Sequence, residues 1–297
     1  MDPTPVEMAN VTRAVKSLRA APARWEPVIT GGHTPAKRWV VTLNDGRTVF
    51  AKVAADELTA SWLRDEHLVY SVLRGSPFMP GYVGWYDDGS RPVMALEDMS
   101  GAAWPPPWDR SKIDAVLACV DAVATTPPPD GLPKTDDTHL ELREGWDEVG
   151  RDLTAVLGLG VCGPEWLKAH LLTLREAAHA APLAGEALLH LDVRSDNVCF
   201  RPDGRAALVD WNWTSIGNPE IDTAFWLPSL EAEGGPPPEE VAPDVSPELV
   251  ACWAGYLVSH AAREPIPTAP HVRGVQLRQA RSALPWAARR LGLARPA

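Results

Sequence analysis

The sequence has 297 residues, of which 45% are hydrophobic and 23% are charged, and its formal net charge is −11. This length and composition are typical of a globular protein with one large domain or two lobes. The negative net charge argues against nucleic acid as the main partner and is compatible with a cationic substrate.

No feature of the sequence indicates export or a membrane. The N-terminal MDPTPVEM lacks the basic start and apolar core of a signal peptide, and no apolar run is long enough to cross a bilayer. The four cysteines are far apart and form no Cys-x-x-Cys pair, which argues against zinc and favours buried free thiols. We therefore expect a cytoplasmic protein with no membrane partner.

The first hundred residues predict a small antiparallel sheet. Its strand-like runs are Trp25–Ile29, Trp39–Leu43, Thr48–Val53, Tyr82–Tyr86 and Val93–Glu97. The turn Asn44-Asp45-Gly46 is a strong hairpin signal between the second and third runs. A single helix is predicted at 56–73, with Asp56 as its N-cap. Its predicted apolar face consists of Leu58, Trp62, Val69, Val72 and Leu73.

Lys52 lies in the third run, within VFAKVA. A lysine among apolar strand neighbours is costly unless its charge is paired. Glu66 lies beside the apolar face of the predicted helix and is our candidate partner, with Asp65 as the alternative. An edge-strand lysine that points to solvent would give the same pattern.

The segment 30–37 joins two strand-like runs and contains two glycines followed by His33 and Thr34. Backbone amides in such a turn bind phosphate oxygens. A plain hairpin loop has the same composition, so the pattern alone leaves both interpretations open.

The stretch 188–225 contains the residues that indicate chemistry. Strand-like runs at 188–191, 198–200 and 206–209 place Asp192, Asn197 and Asp210 in loops at strand ends. Three oxygen-bearing side chains that lie close together suit Mg²⁺, which shares such ligands with phosphates. The remainder of the chain predicts helices at 113–123, 165–180, 249–262 and 272–291.

The order of these residues is that of kinase-like enzymes. His190, Asp192 and Asn197 form H-x-D-x-x-x-x-N, and Asp210 follows across a turn. Asp210 is followed by Trp211, and then by Ile216-Gly217-Asn218-Pro219 and Ile221-Asp222. This series resembles the aminoglycoside phosphotransferase family, whereas protein kinases have Phe-Gly after the second Asp. Two positions depart from the family pattern: Leu191 replaces a glycine, and Asn212 replaces an acidic residue.

The resemblance implies a two-lobed, protein-kinase-like α+β fold. Residues 1–98 would form a nucleotide-binding lobe with an antiparallel sheet, and residues 99–297 a mainly helical lobe. The hinge would lie at 97–101. The implied activity is ATP-dependent transfer of the γ-phosphate to a hydroxyl group of a small molecule, with Mg²⁺ as cofactor.

The resemblance also implies roles for individual residues. Asp192 would accept or orient the acceptor's proton, Asn197 and Asp210 would bind Mg²⁺, and Lys52, paired with Glu66, would bind the α/β-phosphates. Thr34 lies in the phosphate loop. The Glu97 carbonyl and the Met99 amide would bind adenine through backbone groups, so GTP is not excluded as donor. Arg194 either faces the γ-phosphate or lies on a surface loop, whereas His190 and Asp222 would be structural.

The identity of the acceptor stays open at this point. An aminoglycoside or other antibiotic is the first candidate, and a choline-like amino alcohol, a sugar or a homoserine-like metabolite are alternatives. A nucleotide-binding pseudokinase that regulates a partner is a further alternative. Trp104, Trp108, Trp146, Trp226 and Trp253 are candidates to line the acceptor site, with ordinary packing as the alternative for each.

Overall fold

The computed structural model describes residues 2–29 and 34–296. Its first elements are α1 (Pro5–Ala14), β1 (Pro22–Pro27), β2 (Lys37–Leu43), β3 (Thr48–Val53), α2 (Glu57–Val72), β4 (Tyr82–Tyr86) and β5 (Val93–Glu97). The central ones are α3 (Arg110–Ala124), α4 (Thr135–Thr138), α5 (Glu141–Arg151), α6 (Leu153–Leu157), α7 (Pro164–His179), β6 (Ala187–Leu189), β7 (Val198–Phe200) and β8 (Ala206–Leu208). The last are β9 (Ser215–Gly217), α8 (Glu220–Ala232), α9 (Pro238–Val241), α10 (Pro247–Ala261) and α11 (Val272–Arg290).

Contacts divide the chain into two compact units. The first comprises Met1–Pro105 and Asp196–Thr214, and the second comprises Pro106–Ser195 and Ser215–Ala297. The lobe boundary that we expect between residues 98 and 99 stays a prediction.

The first unit contains the expected sheet. Its strand order is β1-β2-β3-β5-β4, and every neighbouring pair is antiparallel. The turn between β2 and β3 contains Gly46 at φ 87°, a conformation that glycine adopts without steric cost. The tight turn and the alternating strands thus fix the register of this hairpin.

The two faces of this sheet differ. The first face packs against α1 in a core of Val11, Ala14, Val15, Trp39, Val41, Leu43, Val49, Ala51 and Val53. The alternate residues of β2 and β3 lie on the other face, which we call the second face, and they are only partly buried or exposed. The second face carries Arg38, Val40 and Thr42 from β2 and Thr48, Phe50 and Lys52 from β3.

The helix α2 begins at a capping box in which Asp56 and Thr59 bond each other's backbone N–H groups. Its buried residues are Thr59, Ala60, Leu63, Glu66, Val69 and Tyr70. The predicted apolar face was wrong for Leu58 and Val72, which are 57% and 56% exposed. One residue turns the helix by about 100°, so the observed face is centred on Leu63 and Glu66. Glu66 therefore lies on the buried face.

The hairpin of β7 and β8 belongs to the first unit, and backbone hydrogen bonds join it to the N-terminal part of that unit. The Leu208 N–H donates to the Phe78 carbonyl at 2.8 Å. Phe200 and Ala103 exchange two backbone hydrogen bonds of 2.8 and 3.0 Å. These bonds bring Asn197 and Asp210 into the same unit as the sheet.

The second unit is mainly helical, with a single two-stranded sheet of β6 and β9. In it, α10 packs against α5, α7 and α11. A side chain at Gly145 would lie 2.3 Å from the backbone of Gly255, so glycine is required where α5 crosses α10. Together the two units confirm the α+β class, with an antiparallel N-terminal sheet and a mainly helical remainder. Among residues 2–29 and 34–296, no helix is both long and apolar enough to cross a membrane.

Candidate active site

Lys52 contacts two carboxylates within the first unit. Its Nζ lies 2.7 Å from Glu66 Oε2 and 2.6 Å from Asp210 Oδ1. The side chains of Lys52, Glu66 and Asp210 are 13%, 2% and 22% exposed. Glu66, and not the exposed Asp65, is the helix carboxylate that meets the lysine. Lys52 on β3 thus links Glu66 on α2 to Asp210, which lies two residues after the end of β8.

The electrostatics of this cluster favour a charged lysine. Burial alone would lower the pKa of Lys52, but Asp210 and Glu66 together raise it above its ordinary value. Burial raises the pKa of Glu66, and Asp210 adds to that effect while Lys52 opposes it. Buried ion pairs are costly to form and are weak evidence for stability. Clusters of this kind are commoner at functional sites.

Asn197 and Asp210 lie at the open end of the β7–β8 hairpin. The Val209 N–H donates to the Asn197 carbonyl at 2.9 Å, which fixes the two ends of the hairpin together. Asp210 has φ 67°, an uncommon value for a residue other than glycine. Trp211 follows it, is fully buried and donates from Nε1 to the Leu208 carbonyl at 2.9 Å. The buried tryptophan therefore holds the backbone that turns Asp210.

The position next to Trp211 differs from the family pattern. Asn212 is half-buried, and its Oδ1 has no hydrogen-bond partner in the part of the chain that the structure describes. An amide needs less compensation there than an ionised carboxylate would, because burial penalises charge more strongly.

The residues expected to bind the nucleotide lie in the first unit. Glu97 ends β5, and its carboxylate binds Arg201 at 2.7 and 2.9 Å. The Met99 carbonyl accepts from the Ala102 N–H at 3.0 Å. Thr34 is half-buried, whereas residues 30–33 of the expected phosphate loop lie outside the described residues.

The expected catalytic loop lies in the second unit, directly after β6. Asp222 is 1% exposed, and its carboxylate accepts the backbone N–H groups of His190 at 2.8 Å and Leu191 at 2.7 Å. The Asp192 N–H contacts His190 Nδ1 at 3.3 Å, and Arg194 Nε lies 3.0 Å from Asp192 Oδ1. His190 and Asp222 thus support the loop that presents Asp192.

A row of stacked aromatic rings begins on α8, the helix that carries Asp222. Phe225 lies one turn after Asp222 on α8 and stacks on Trp253 at 4.1 Å between ring centroids. Trp253 stacks on Tyr256 at 4.9 Å, and Tyr256 stacks on His260 at 3.8 Å. Burial raises the pKa of Tyr256 to about 12, with the Asp192 and Glu141 carboxylates as further causes. We call Phe225, Trp253, Tyr256 and His260 the aromatic stack.

The five candidate tryptophans have different environments. Trp146 and Trp226 are fully buried and belong to the core. Trp108 donates from Nε1 to Glu233 at 2.9 Å, and Trp104 is 39% exposed. Only Trp253 of the five belongs to the aromatic stack.

Arg38 is a charged residue near the cluster, and no motif of the sequence indicated a role for it. It lies on β2 directly opposite Lys52. The sequence shows that Arg38, Val40 and Thr42 alternate along one strand. It does not show that Arg38 pairs with Lys52, because that pairing depends on the β2–β3 register.

The fold and these contacts define a class: kinase-like phosphotransferases that act on hydroxyl groups of small molecules. The model of the phosphotransferase enzyme family (APH) matches residues 27–244. The chain belongs to this family, which confirms the resemblance drawn from the stretch 188–225.

Three solved structures illustrate the likeness in fold. A thermostable mutant of aminoglycoside phosphotransferase APH(4)-Ia, in a ternary complex with ADP and hygromycin B, is 14% identical with a TM-score of 0.55, covering 91% of this chain and 95% of that one. Macrolide 2'-phosphotransferase type I is 14% identical with a TM-score of 0.55, covering 98% and 94%. A putative fructosamine-3-kinase from Haemophilus somnus 129PT is 14% identical with a TM-score of 0.54, covering 90% and 96%.

These likenesses confirm the two-lobed, kinase-like fold. A search of curated protein sequences returned no match.

Proposed function

We propose that this enzyme transfers the γ-phosphate of ATP to a hydroxyl group of a small molecule, with Mg²⁺ as cofactor. The observation that carries the proposal is the bonding of Lys52 to both Glu66 and Asp210. Phosphoryl transfer needs positioning and charge neutralisation more than covalent help. A fixed, charged lysine beside a carboxylate that suits a metal meets that need.

The donor would bind in the first unit. Lys52 would contact the α/β-phosphates, Thr34 would lie in the phosphate loop, and the Glu97 carbonyl and Met99 amide would bind the base. Structures of similar fold contain ADP or AMP, which supports an adenine nucleotide as the donor. Because the base is read through backbone groups, GTP stays an alternative donor.

The metal would bind at Asn197 and Asp210. Both offer oxygen atoms, which Mg²⁺ prefers, and the hairpin bond at 2.9 Å between Val209 and Asn197 keeps their backbones together. Asp210 is 22% exposed, so its carboxylate is open to a ligand beside Lys52. When bound, Mg²⁺ neutralises charge on the phosphates.

Asp192 would accept the proton of the acceptor hydroxyl or orient that hydroxyl. Its backbone is held through His190 and Asp222, and its carboxylate meets Arg194 at 3.0 Å. Arg194 would then either neutralise charge during transfer or set the orientation of Asp192.

An aminoglycoside or other antibiotic is the first acceptor class to test. Proteins of similar fold include aminoglycoside and macrolide phosphotransferases and a fructosamine kinase, which supports this order of testing. Trp253 and Tyr256 of the aromatic stack are partly exposed, and they are the rings of the stack that an acceptor with a ring face would contact. Choline-like amino alcohols, sugars and homoserine-like metabolites complete the test panel.

The experiment has two stages. Mg-ATP should raise the melting temperature, and ATP turnover should then depend on one compound of the panel and on Mg²⁺. A thermal shift without any phosphorylated product over the panel would favour the pseudokinase alternative. No shift with ATP or GTP would contradict the proposal. Asp210→Asn, which keeps the shape and removes the charge, should abolish Mg²⁺-dependent turnover.

A further inference from the structure

Arg38 and Lys52 are neighbours on the second face of the sheet. They are directly paired across the antiparallel strands β2 and β3. Residues that pair in this way point to the same face, with Cβ atoms about 5 Å apart. Lys52 contacts Glu66 and Asp210 on that face. The side chain of Arg38 therefore leaves the sheet on the same face as this cluster.

Arg38 is incompletely satisfied. It is half-buried, and its Nε is buried without a hydrogen-bond partner in the ranges 2–29 and 34–296. No carboxylate of those ranges lies within ion-pair distance of it, although burial, the main influence, lowers its pKa and the more distant Asp210 and Asp196 raise it. A buried donor without an acceptor is costly. A buried donor of this kind calls for an explanation, and a bound anion that accepts its hydrogen bond is one.

Lys52 alone has few hydrogen-bond donors left for the oxygen atoms of a triphosphate. Its ammonium has three N–H donors, and Glu66 and Asp210 take two of them. A guanidinium adds a planar fork of N–H groups that matches phosphate oxygens in pairs. The second face thus offers a second cation of the right geometry beside the first.

We infer that Arg38 binds the phosphate groups of the donor nucleotide together with Lys52. The inference rests on the proposed function. It assigns to this chain a phosphate-binding residue on β2, next to the lysine on β3.

The test is calorimetric titration of the full chain with Mg-ATP, ADP and adenosine. Arg38→Gln removes the charge but keeps length and a donor, and Arg38→Lys keeps the charge but loses the fork. Arg24→Gln is the matched control, because Arg24 lies on β1 of the same sheet, is 72% exposed and pairs only with its strand neighbour Glu26 among the described residues.

Arg38→Gln should weaken Mg-ATP binding by about 10- to 100-fold, as expected for a lost charge-assisted hydrogen bond. Adenosine binding should change less than about twofold. Arg38→Lys should fall between the wild type and Arg38→Gln, and Arg24→Gln should match the wild type. Without nucleotide, Arg38→Gln should not lower the melting temperature. The substitution removes a half-buried charge whose burial is unfavourable and whose Nε has no partner in the described ranges.

Unchanged Mg-ATP affinity in Arg38→Gln would overturn the inference, and so would an equal loss for adenosine and ATP. If Arg38→Gln unfolds, Arg38→Lys decides by the same comparison of ATP with adenosine. A wild type that binds neither ATP nor GTP would instead refute the proposed function, which separates the two failures.

Discussion

The backbone N–H of Leu191 donates to Asp222 Oδ1 at 2.7 Å, while Leu191 itself has φ 62°. This left-handed conformation costs a residue with a Cβ atom about 1–2 kcal/mol. The neighbouring N–H of His190 donates to the other oxygen of the same buried carboxylate. Two hydrogen bonds to one buried carboxyl group thus hold a strained residue where the family pattern has glycine.

This relationship predicts an inverted order of stability at position 191. In ordinary helix or strand interiors, glycine is less stable than alanine by about 0.5–1 kcal/mol. At Leu191 the left-handed backbone should make Leu191→Gly more stable than Leu191→Ala by about 1 kcal/mol. Both variants lose the same leucine side chain, so urea unfolding of the pair isolates the backbone term. A more stable alanine variant would show that position 191 relaxes out of the left-handed region.

Removal of Lys52 should affect both activity and stability. Lys52→Ala leaves Glu66 and Asp210 without their shared cation, which should cost about 3–5 kcal/mol of stability at neutral pH. The cost should shrink toward low pH, because the raised pKa of Glu66 lets it take up a proton. Urea midpoints at several pH values measure this. Lys134→Ala removes a half-exposed lysine and should change stability by less than about 0.5 kcal/mol.

The same residues permit a double-mutant cycle on turnover. Lys52→Ala should lower turnover by about 10²–10⁴-fold, the range typical of a positioned catalytic group. Glu66→Gln should add little in the Lys52→Ala background, because the two residues act as one unit. Fully additive losses would show that Glu66 does not act through Lys52.

The sequence predicted those features that depend on neighbouring residues. The β2–β3 hairpin follows from Asn44-Asp45-Gly46, and the start of α2 follows from Asp56, because turn and cap signals act over a few residues. The motif order also predicted which family the chain belongs to. The short β9, Ser-Ile-Gly, lacks the apolar run that indicated β6, β7 and β8.

Other features depend on distant parts of the chain. The bond between Lys52 and Asp210 joins residues 158 positions apart, so only the resemblance indicated that they share a site. The burial of Arg38 depends on strand register, and the exposure of Leu58 depends on which side of α2 meets the sheet. Hydrophobic periodicity alone could not fix that side.

His260 predicts an acid-sensitive stability. It is 8% exposed, and burial together with Arg263, whose Nη1 lies 2.8 Å from His260 Nε2, lowers its pKa to about 4. The unfolded chain takes up this proton near pH 6.5, so folded stability is full above that pH and falls as the pH drops toward 4. The loss should reach about 2 kcal/mol by pH 5.

Urea unfolding between pH 8 and pH 4.5 measures this loss. His260→Gln should flatten the dependence over that range, whereas His271→Gln, at an exposed histidine before α11, should leave it unchanged. An unchanged slope in His260→Gln would assign the acid sensitivity to other groups.

The most direct test of the proposed mechanism uses Asp192→Asn, which keeps the shape of the side chain and removes its charge. Asp192 is assigned to transfer and not to nucleotide binding, so Mg-ATP affinity by calorimetry should change by less than about tenfold. Phosphorylation of the acceptor, measured by mass spectrometry of the product, should fall by about 10²-fold or more. Normal product formation would make Asp192 a structural loop residue, and lost Mg-ATP binding would place it in the nucleotide site; either result contradicts the mechanism.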